Sequence, residues 1–270
     1  MSVSPAHAAV KSGEMKKALL LFALGLQLMA AQSVPSAEEI LTKVANAYRS
    51  AQKYLIVANA GMEFPGGTQP KSVKVTLAVE LPDKIRLEGD GSALRLGGFN
   101  GPVAIVSDGD AIWISDTASK KHYKKPRTSA KGTVGTVDGS EPSLDHPEQF
   151  VATYHYFNNA NYQSLLDKRR SSTVTGTETL SRDGGSVECY VVQSDRGAYA
   201  EKKAGSDRHT VWVDQRTYVV WKEIRSTFRG NGVEERTVTD MTTVILNGSL
   251  PKDVFVFQPT PGSTLAALPQ

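Results

Sequence analysis

The stretch SVKVTLAVELPDKIRLE, residues 72–88, decides the fold of this chain. Apolar residues occupy every second position from Val73 to Leu81, with polar residues or alanine between them. This period of two predicts a β-strand with one buried face and one wet face. Pro82-Asp83-Lys84 then turns the chain, and Ile85 and Leu87 continue the alternation in a returning strand. The stretch therefore predicts an antiparallel hairpin.

A second hairpin is predicted in VSDGDAIWISDTASKKHYKK, residues 106–125, around Asp108-Gly109-Asp110. The glycine supplies the positive φ that tight turns need. Asp108, Asp110 and Asp116 could also be interpreted as a metal cluster. The ligand spacing of a calcium loop, with its closing Glu, is absent. Turn chemistry is the preferred interpretation of these carboxylates.

The second half of the chain predicts a meander of further strands. These segments are rich in β-branched and aromatic residues and are separated by Gly, Asp or Asn turns. The segments are 173–181, 186–194, 209–214, 218–228, 234–246 and 254–258.

Helices are predicted before and between the two sets of strands. Ser36 and Glu39 form a capping-box pattern that begins a helix over 36–53, and its apolar residues recur at three- and four-residue spacing. A second helix is predicted near 147–158 and a short one over Tyr162 to Lys168. Gly-, Ser- and Pro-rich residues 126–147 predict a long loop, and residues 196–208 predict a polar insertion.

The N-terminal residues predict export. Met15-Lys16-Lys17 precedes an apolar run from Ala18 to Ala31, which is typical of a bacterial secretory signal. Small residues in Ala31-Gln32-Ser33 suit cleavage, so we expect a leader over 1–33, a true start at Met15 and one mature domain over 34–270 in the periplasm. An uncleaved N-terminal anchor helix is the alternative, although the apolar run is short for a membrane span.

Composition excludes some classes of function. The 270 residues are 40% hydrophobic and 22% charged, which suits a globular protein, and a net charge of +3 gives no support to a nucleic-acid partner. Cys189 is the only cysteine, so the exported chain folds without an internal disulfide. Its apolar surroundings predict a buried strand residue rather than a nucleophile.

No catalytic or metal-binding motif stands out in the sequence. The histidines, including His122, His146, His155 and His209, show neither H-E-x-x-H nor paired Cys/His spacing, and G-x-S-x-G is absent. A hydrolase using Ser206 and His209 ranks last, because no orienting third group can be named. We therefore predict no enzyme activity, no metal and no cofactor.

A basic run follows the second hairpin. It contains Lys120, Lys121, Lys124, Lys125 and Arg127. Lysines on a strand edge discourage aggregation, and this is the commoner explanation. Contact with anionic lipid or an acidic partner is the alternative.

Five segments together resemble the periplasmic lipoprotein-carrier superfamily of LolA-, LolB- and RseB-like proteins. They are, in order, SAEEILTKVANAYRS, LAVELPDKIRLE, AIVSDGDAIWISDTASKKHYKK and finally HTVWVDQRTYVVWKEIRST with DVFVFQPTPGSTL. They cover about half of the mature chain. Glu80 and Leu81 stand before the turn proline where the carriers have a basic residue, so the chain resembles a divergent member.

The resemblance implies an α+β fold. The expected fold is a strongly curved antiparallel sheet that forms an unclosed β-barrel, with lid helices on its concave face. An acyl chain can then replace the lid. By alternation, the cavity is expected to contain Val75, Leu77, Val79, Ile85, Leu87, Ile112, Ile114, Val211, Val213 and Val220.

The expected function is that of a periplasmic carrier for lipid or lipoprotein acyl chains. The alternative is an RseB-like envelope sensor or scaffold that acts through protein contacts. No stable membrane insertion is expected after signal cleavage.

Overall fold

The computed structural model describes residues 34–63, 72–81, 83–91, 101–126, 162, 165–167, 170–196, 206–228 and 234–267. The segment Ser36–Gln270 forms one compact unit. The predicted leader, the predicted helix near 147–158, nearly all of the 126–147 loop and most of the 196–208 insertion lie outside the described residues.

The first helix, α1, spans Ala37–Arg49. The predicted capping box is confirmed, because the Ser36 hydroxyl accepts from the Glu39 N–H while the Glu39 carboxylate accepts from the Ser36 N–H. The helix ends four residues before the predicted Lys53. The Ser50 N–H closes the last turn on Asn46, and Lys53 already begins the first strand.

Twelve strands follow the helix in one sheet. Their bounds are β1 Lys53–Glu63, β2 Val73–Glu80, β3 Lys84–Asp90, β4 Pro102–Asp108, β5 Ala111–Asp116, β6 Lys121–Pro126, β7 Arg170–Arg182, β8 Gly185–Arg196, β9 Asp207–Asp214, β10 Val220–Phe228, β11 Glu234–Leu246 and β12 Thr264–Ala266.

The order of the strands is β12-β6-β5-β4-β3-β2-β1-β11-β10-β9-β8-β7. Two meanders therefore meet where β1 pairs antiparallel with β11, from Tyr54 opposite Leu246 to Glu63 opposite Arg236. All pairs are antiparallel except β12 with β6. The sheet is curved and unclosed, and one described helix packs on its inner face, so the predicted fold class is confirmed.

The predicted hairpins have the expected registers. Leu77 lies opposite Leu87 in β2 and β3, and Ile105 lies opposite Ile114 in β4 and β5. Because side chains alternate across a strand, these leucines and isoleucines all lie on the inner face, which is the face that α1 covers.

The prediction of a strand over 254–258 is wrong. These residues form turns and extended chain that cross the outer face of the sheet, where Phe255 packs with Leu55 and Ala78. The Arg86 guanidinium donates to the carbonyls of Val254 and Val256 at 3.2 Å, so these carbonyls bond to a side chain rather than to a neighbouring strand.

The C-terminal segment continues across the outer face to the far edge of the sheet. The Phe257 ring stacks on Trp113 with centroids 4.9 Å apart, and the Thr260 and Ser115 hydroxyls lie 3.0 Å apart. β12 then pairs with β6, with Leu265 opposite His122. The two faces of the sheet thus have different covers: α1 on the inner face and the C-terminal segment on the outer face.

Candidate functional site

The inner face of the sheet carries a continuous apolar surface, here called the apolar floor. All ten residues predicted for the cavity belong to it: nine are buried in one cluster with α1, and Val75 is partly buried against that cluster. Their predicted positions on one face are thus consistent with the structure. Their contact with a ligand stays a prediction.

The floor also contains residues beyond the ten predicted for the cavity. They include Tyr54, Ile56, Ala58, Val103, Ile105, Tyr123, Val192 and Met241. In β1 the run YLIVANA is apolar on both faces, because Leu55 and Val57 pack on the outer face under the C-terminal segment. The sequence of β1 therefore shows no clear alternation of apolar and polar residues. In β4, Val103 and Ile105 do occupy alternate positions.

The helix α1 covers the floor with a narrow apolar stripe. Ile40, Leu41 and Val44 are fully buried in the cluster. Polar contacts between helix and sheet are few in the described residues: the Lys43 ammonium donates to the Tyr218 hydroxyl at 2.9 Å, and the Tyr48 hydroxyl accepts from the Val220 N–H at 3.3 Å. The helix is held chiefly by burial of side chains.

Tyr48 and Tyr162 form an aromatic pair between the helix and the floor. Their ring centroids lie 4.4 Å apart, and both side chains are almost fully buried. Burial raises the pKa of both hydroxyls well above the ordinary value, because a phenolate would lose its hydration there. Both tyrosines are therefore neutral at any physiological pH.

One end of the inner face is polar, and it is here called the polar end. It comprises Arg170, Ser172, Ser194, Arg196, Asp207, His209, Glu223 and Arg225. Strand register places these residues together: Ser172 pairs with Ser194, Ser194 with His209, and His209 with Arg225. The rows of paired residues thus change from apolar to polar along β7 to β10.

A hydrogen bond and an ion pair connect the residues of the polar end. His209 Nε2 lies 3.2 Å from Glu223 Oε2, and both side chains are largely buried. Arg170 Nη2 donates to Asp207 Oδ2 at 2.8 Å, across the intervening strand β8. The sequence interpretation of His209 as a surface or core residue missed this cluster. Alternation of Arg170, Ser172 and Val174 in β7 was the signal that could have found it.

Two cavities formed by described residues lie near the sheet. One of about 500 Å³ lies beside the last turn of α1 and next to the floor, with Ala47, Val219, Trp221, Val244 and Leu246 among its lining residues. The other, of about 550 Å³, lies on the outer face between the sheet and Phe257, where Lys74, Arg86 and Glu88 also line it. The first falls within the size range of small-molecule sites and adjoins the floor.

The carboxylates of the second hairpin serve its turns, as predicted. Asp108 accepts from the N–H groups of Asp110 and Ala111 and from the Trp113 indole, and Gly109 has a φ of +106°. Burial acts to raise the pKa of Asp108, but these hydrogen bonds outweigh it and lower the pKa. In the described ranges, no group of three or more His, Cys, Asp or Glu could hold a metal ion.

The basic run lies only partly at the edge of the sheet. β12 pairs with Lys121–Tyr123, so the described part of β6 beyond Tyr123 forms the edge. Lys124 lies over the Trp113 ring, 4.6 Å from its centroid, and so belongs to the outer face. Arg127 lies outside the described residues. A contact of this run with an anionic partner stays a prediction.

The inner face thus defines a helix-covered, unclosed sheet with an apolar floor. A family model described as "Predicted periplasmic protein (DUF2092)" matches residues 37–268, and the chain belongs to this family. This description agrees with the periplasmic location predicted from the leader. Among the described residues, no helix is long and apolar enough to cross a membrane.

Solved structures similar to this chain share little sequence with it. LprF from Mycobacterium bovis has 8% identity and a TM-score of 0.42, over 79% of this chain and 96% of that chain. A chain of the MucA/MucB complex of Pseudomonas aeruginosa has 15% identity and a TM-score of 0.39, and the match covers 85% of this chain and 63% of that chain. A LolA superfamily protein from Nitrosomonas europaea has 11% identity and a TM-score of 0.28, and the match covers 83% of this chain and 99% of that chain.

The resemblance to LolA-like proteins drawn from the sequence is confirmed as a similarity. These TM-scores are too low to define the fold, which is therefore described from the strand order and the helix of this chain itself. No curated protein matches the chain.

Proposed function

We propose that this protein is a periplasmic, non-enzymatic carrier that binds the acyl chains of lipids or lipoproteins on the apolar floor. The observation that carries the proposal is the floor itself, an apolar surface that runs across the inner face under one amphipathic helix. In this proposal α1 is the lid. An acyl chain takes the place of the lid and lies on the same side chains.

Energies of burial favour this exchange. The three fully buried aliphatic side chains of α1 contribute about 2 kcal/mol each, or about 6 kcal/mol in total. An acyl chain with about a dozen buried methylenes gains about 10 kcal/mol before ordering costs. Tyr48 of α1 is buried as well, so the burial energy of the lid is comparable with that of a long acyl chain, and the two can compete for the floor.

The cavity beside α1 supports a point of entry. Two of its apolar lining residues, Val244 and Leu246, are partly buried against the floor cluster. An acyl chain that enters there contacts the floor before the helix has moved. The Lys43–Tyr218 contact on the exposed side of the helix offers little resistance, since exposed polar contacts are weak.

Two leucines give a matched test of this proposal. Leu77 lies on the floor and Leu55 lies on the outer face, and each has 7% of its surface exposed. Leu77→Gln and Leu55→Gln both bury an amide, so we expect similar losses of stability. Only Leu77→Gln should weaken the binding of a fatty acyl ligand, by about tenfold, in calorimetric titration.

The control and the contradictory outcome are both measurable. Leu77→Met keeps the volume of the side chain and should bind like the wild type. Binding by the wild type should show a negative heat-capacity change, because apolar surface is buried. Equal effects of the two glutamine variants on binding would place the ligand elsewhere than on the floor.

A second candidate function is that of an envelope sensor or scaffold acting through protein contacts. One observation favours it: β7 is a 13-residue strand at one end of the sheet, and most of its residues from Ser171 to Thr179 are exposed. Long exposed edges are sites where a partner strand can add to a sheet. A photo-crosslinker at Thr177 tests this, and Thr179→Lys should abolish a genuine crosslink to an envelope protein.

A further inference from the structure

The polar end adjoins the apolar floor along the same strands. Arg170, Ser172 and Val174 alternate along β7, and Arg196, Ser194 and Val192 run beside them along β8. Because a strand rises about 3.3 Å per residue, Arg170 and Val174 lie about 13 Å apart along the sheet. The inner face is thus amphipathic along its length, with a charged end and an apolar middle.

Arg170 lies at this charged end and is not fully paired. Only 7% of its side chain is exposed, and Nη2 donates to Asp207. Within the part of the chain that the structure describes, Nε and Nη1 of Arg170 are buried without a hydrogen-bond partner, and so is Oδ1 of Asp207. Buried donors and acceptors are normally satisfied, so these atoms are available to bind a polar group.

The unsatisfied atoms indicate the chemistry of that group. Nε–H and Nη1–H point to different sides of the guanidinium, and one of them can act with the remaining N–H of Nη2 as a two-donor fork for the oxygens of phosphate or carboxylate. The free Asp207 oxygen requires a donor close to that oxyanion, such as a hydroxyl or an ammonium. A phosphodiester that carries a hydroxyl or amine offers both, whereas a plain fatty-acid carboxylate offers no donor.

We propose that the polar end binds the phosphodiester headgroup of a glycerophospholipid-like amphiphile whose acyl chain lies on the apolar floor. The inference rests on the proposed carrier function and names its ligand class. Arg170 binds the phosphate oxygens, and Asp207 accepts from the hydroxyl or ammonium of the headgroup. The distance of about 13 Å to Val174 leaves room for the glycerol and ester groups between headgroup and acyl chain.

The test compares two lipids that share one acyl chain: lysophosphatidylglycerol and the neutral monoacylglycerol. Arg170→Gln should weaken binding of the lysophospholipid about tenfold or more and leave the monoacylglycerol nearly unchanged. Arg208→Gln is the matched control. Arg208 lies beside Asp207 in β9 on the outer face, where it pairs with Asp195 at 2.7 Å, and its replacement should change neither affinity.

The outcomes separate this inference from the function on which it rests. Binding of neither lipid to the wild type would refute the carrier function itself. Binding of both lipids with equal affinity, or an equal effect of Arg170→Gln on both, would refute the headgroup site and leave the carrier function standing. Inorganic phosphate that binds as tightly as the lysophospholipid would show a site for free anions and would also refute the inference.

A measurement on the wild type tests the same proposal without any substitution, so it remains valid even if the Arg170→Gln variant does not fold. Buried arginine Nε–H groups are observable by ¹⁵N nuclear magnetic resonance. We expect the signal of Arg170 to shift on addition of lysophosphatidylglycerol and to stay in place with the monoacylglycerol. Identical spectra with the two lipids would overturn the proposal without recourse to any substitution.

Discussion

The Tyr48 hydroxyl accepts a hydrogen bond from the Val220 N–H at 3.3 Å, which joins the helix α1 to the floor strand β10. Val220 is fully buried and begins β10, next to the irregular pairing of that strand with β9. This bond joins the helix directly to the backbone of the sheet. In the proposed carrier function, it would stabilise the closed state relative to the ligand-bound state.

Replacing Tyr48 with Phe should loosen the lid. The ring contact with Tyr162 is kept, but the buried Val220 N–H loses its acceptor, so we expect a loss of about 1 kcal/mol of stability in urea unfolding. Because the lid covers the floor less tightly, acyl-chain uptake should be faster than in the wild type. Tyr218→Phe removes only the hydrogen bond from Lys43 and keeps the ring under the Lys43 ammonium, so it should have little effect on stability or uptake. Slower uptake by Tyr48→Phe would contradict the role of α1 as a lid.

Replacing Phe255 with Ala should destabilise the protein without affecting ligand binding. Phe255 is 9% exposed and packs on the outer face against Leu55 and Ala78. Truncation of a buried phenylalanine costs about 3 kcal/mol. Chemical denaturation gives the stability, and titration with a fatty acyl ligand gives the affinity. A large loss of affinity in the folded variant would be incompatible with binding on the inner face alone.

The thiol of Cys189 should make stability fall at alkaline pH. Burial, and secondarily the charge of Asp214, raises the pKa of Cys189 to about 12. The unfolded chain ionises near the ordinary value of 9.0, so it releases its proton first and the folded state loses stability as pH rises from about 9 to about 12.

The effect of Cys189 is isolated by comparison with Cys189→Ala. The difference in stability between the two proteins should shrink by up to about 1.4 kcal/mol per pH unit in that window. A thiol reagent at pH 8 should react with the wild type only after unfolding. Rapid reaction of the native protein would show that Cys189 is accessible in the folded state and would contradict the prediction.

Local periodicity explains why the floor could be predicted and why its outer cover could not. Leu77, Ile85 and Ile114 follow a period of two, and side-chain alternation is a property of each strand by itself. The path of residues 254–258 depends instead on Arg86, which is distant in sequence and binds two of their carbonyls. Apolar alternation at Val254 and Val256 therefore indicated a strand that does not form.

The polar end needed the register of several strands. Arg170 and Asp207 are 37 residues apart in sequence, and they meet only because Arg196 of β8 pairs with both of them. Neither residue belongs to a motif. His209 and Glu223 are brought together in the same way by the pairing of β9 with β10. Sequence reasoning could assign the face of each residue in its own strand, but not these neighbours.

The carrier function is tested most directly by organic extraction of protein purified natively from the cell envelope, followed by lipid mass spectrometry. We expect acyl lipid in near-stoichiometric amount with the wild type and a clear reduction with Leu77→Gln relative to Leu55→Gln. The carrier function would be contradicted if the wild type yielded no lipid on extraction and also took up no added acyl ligand.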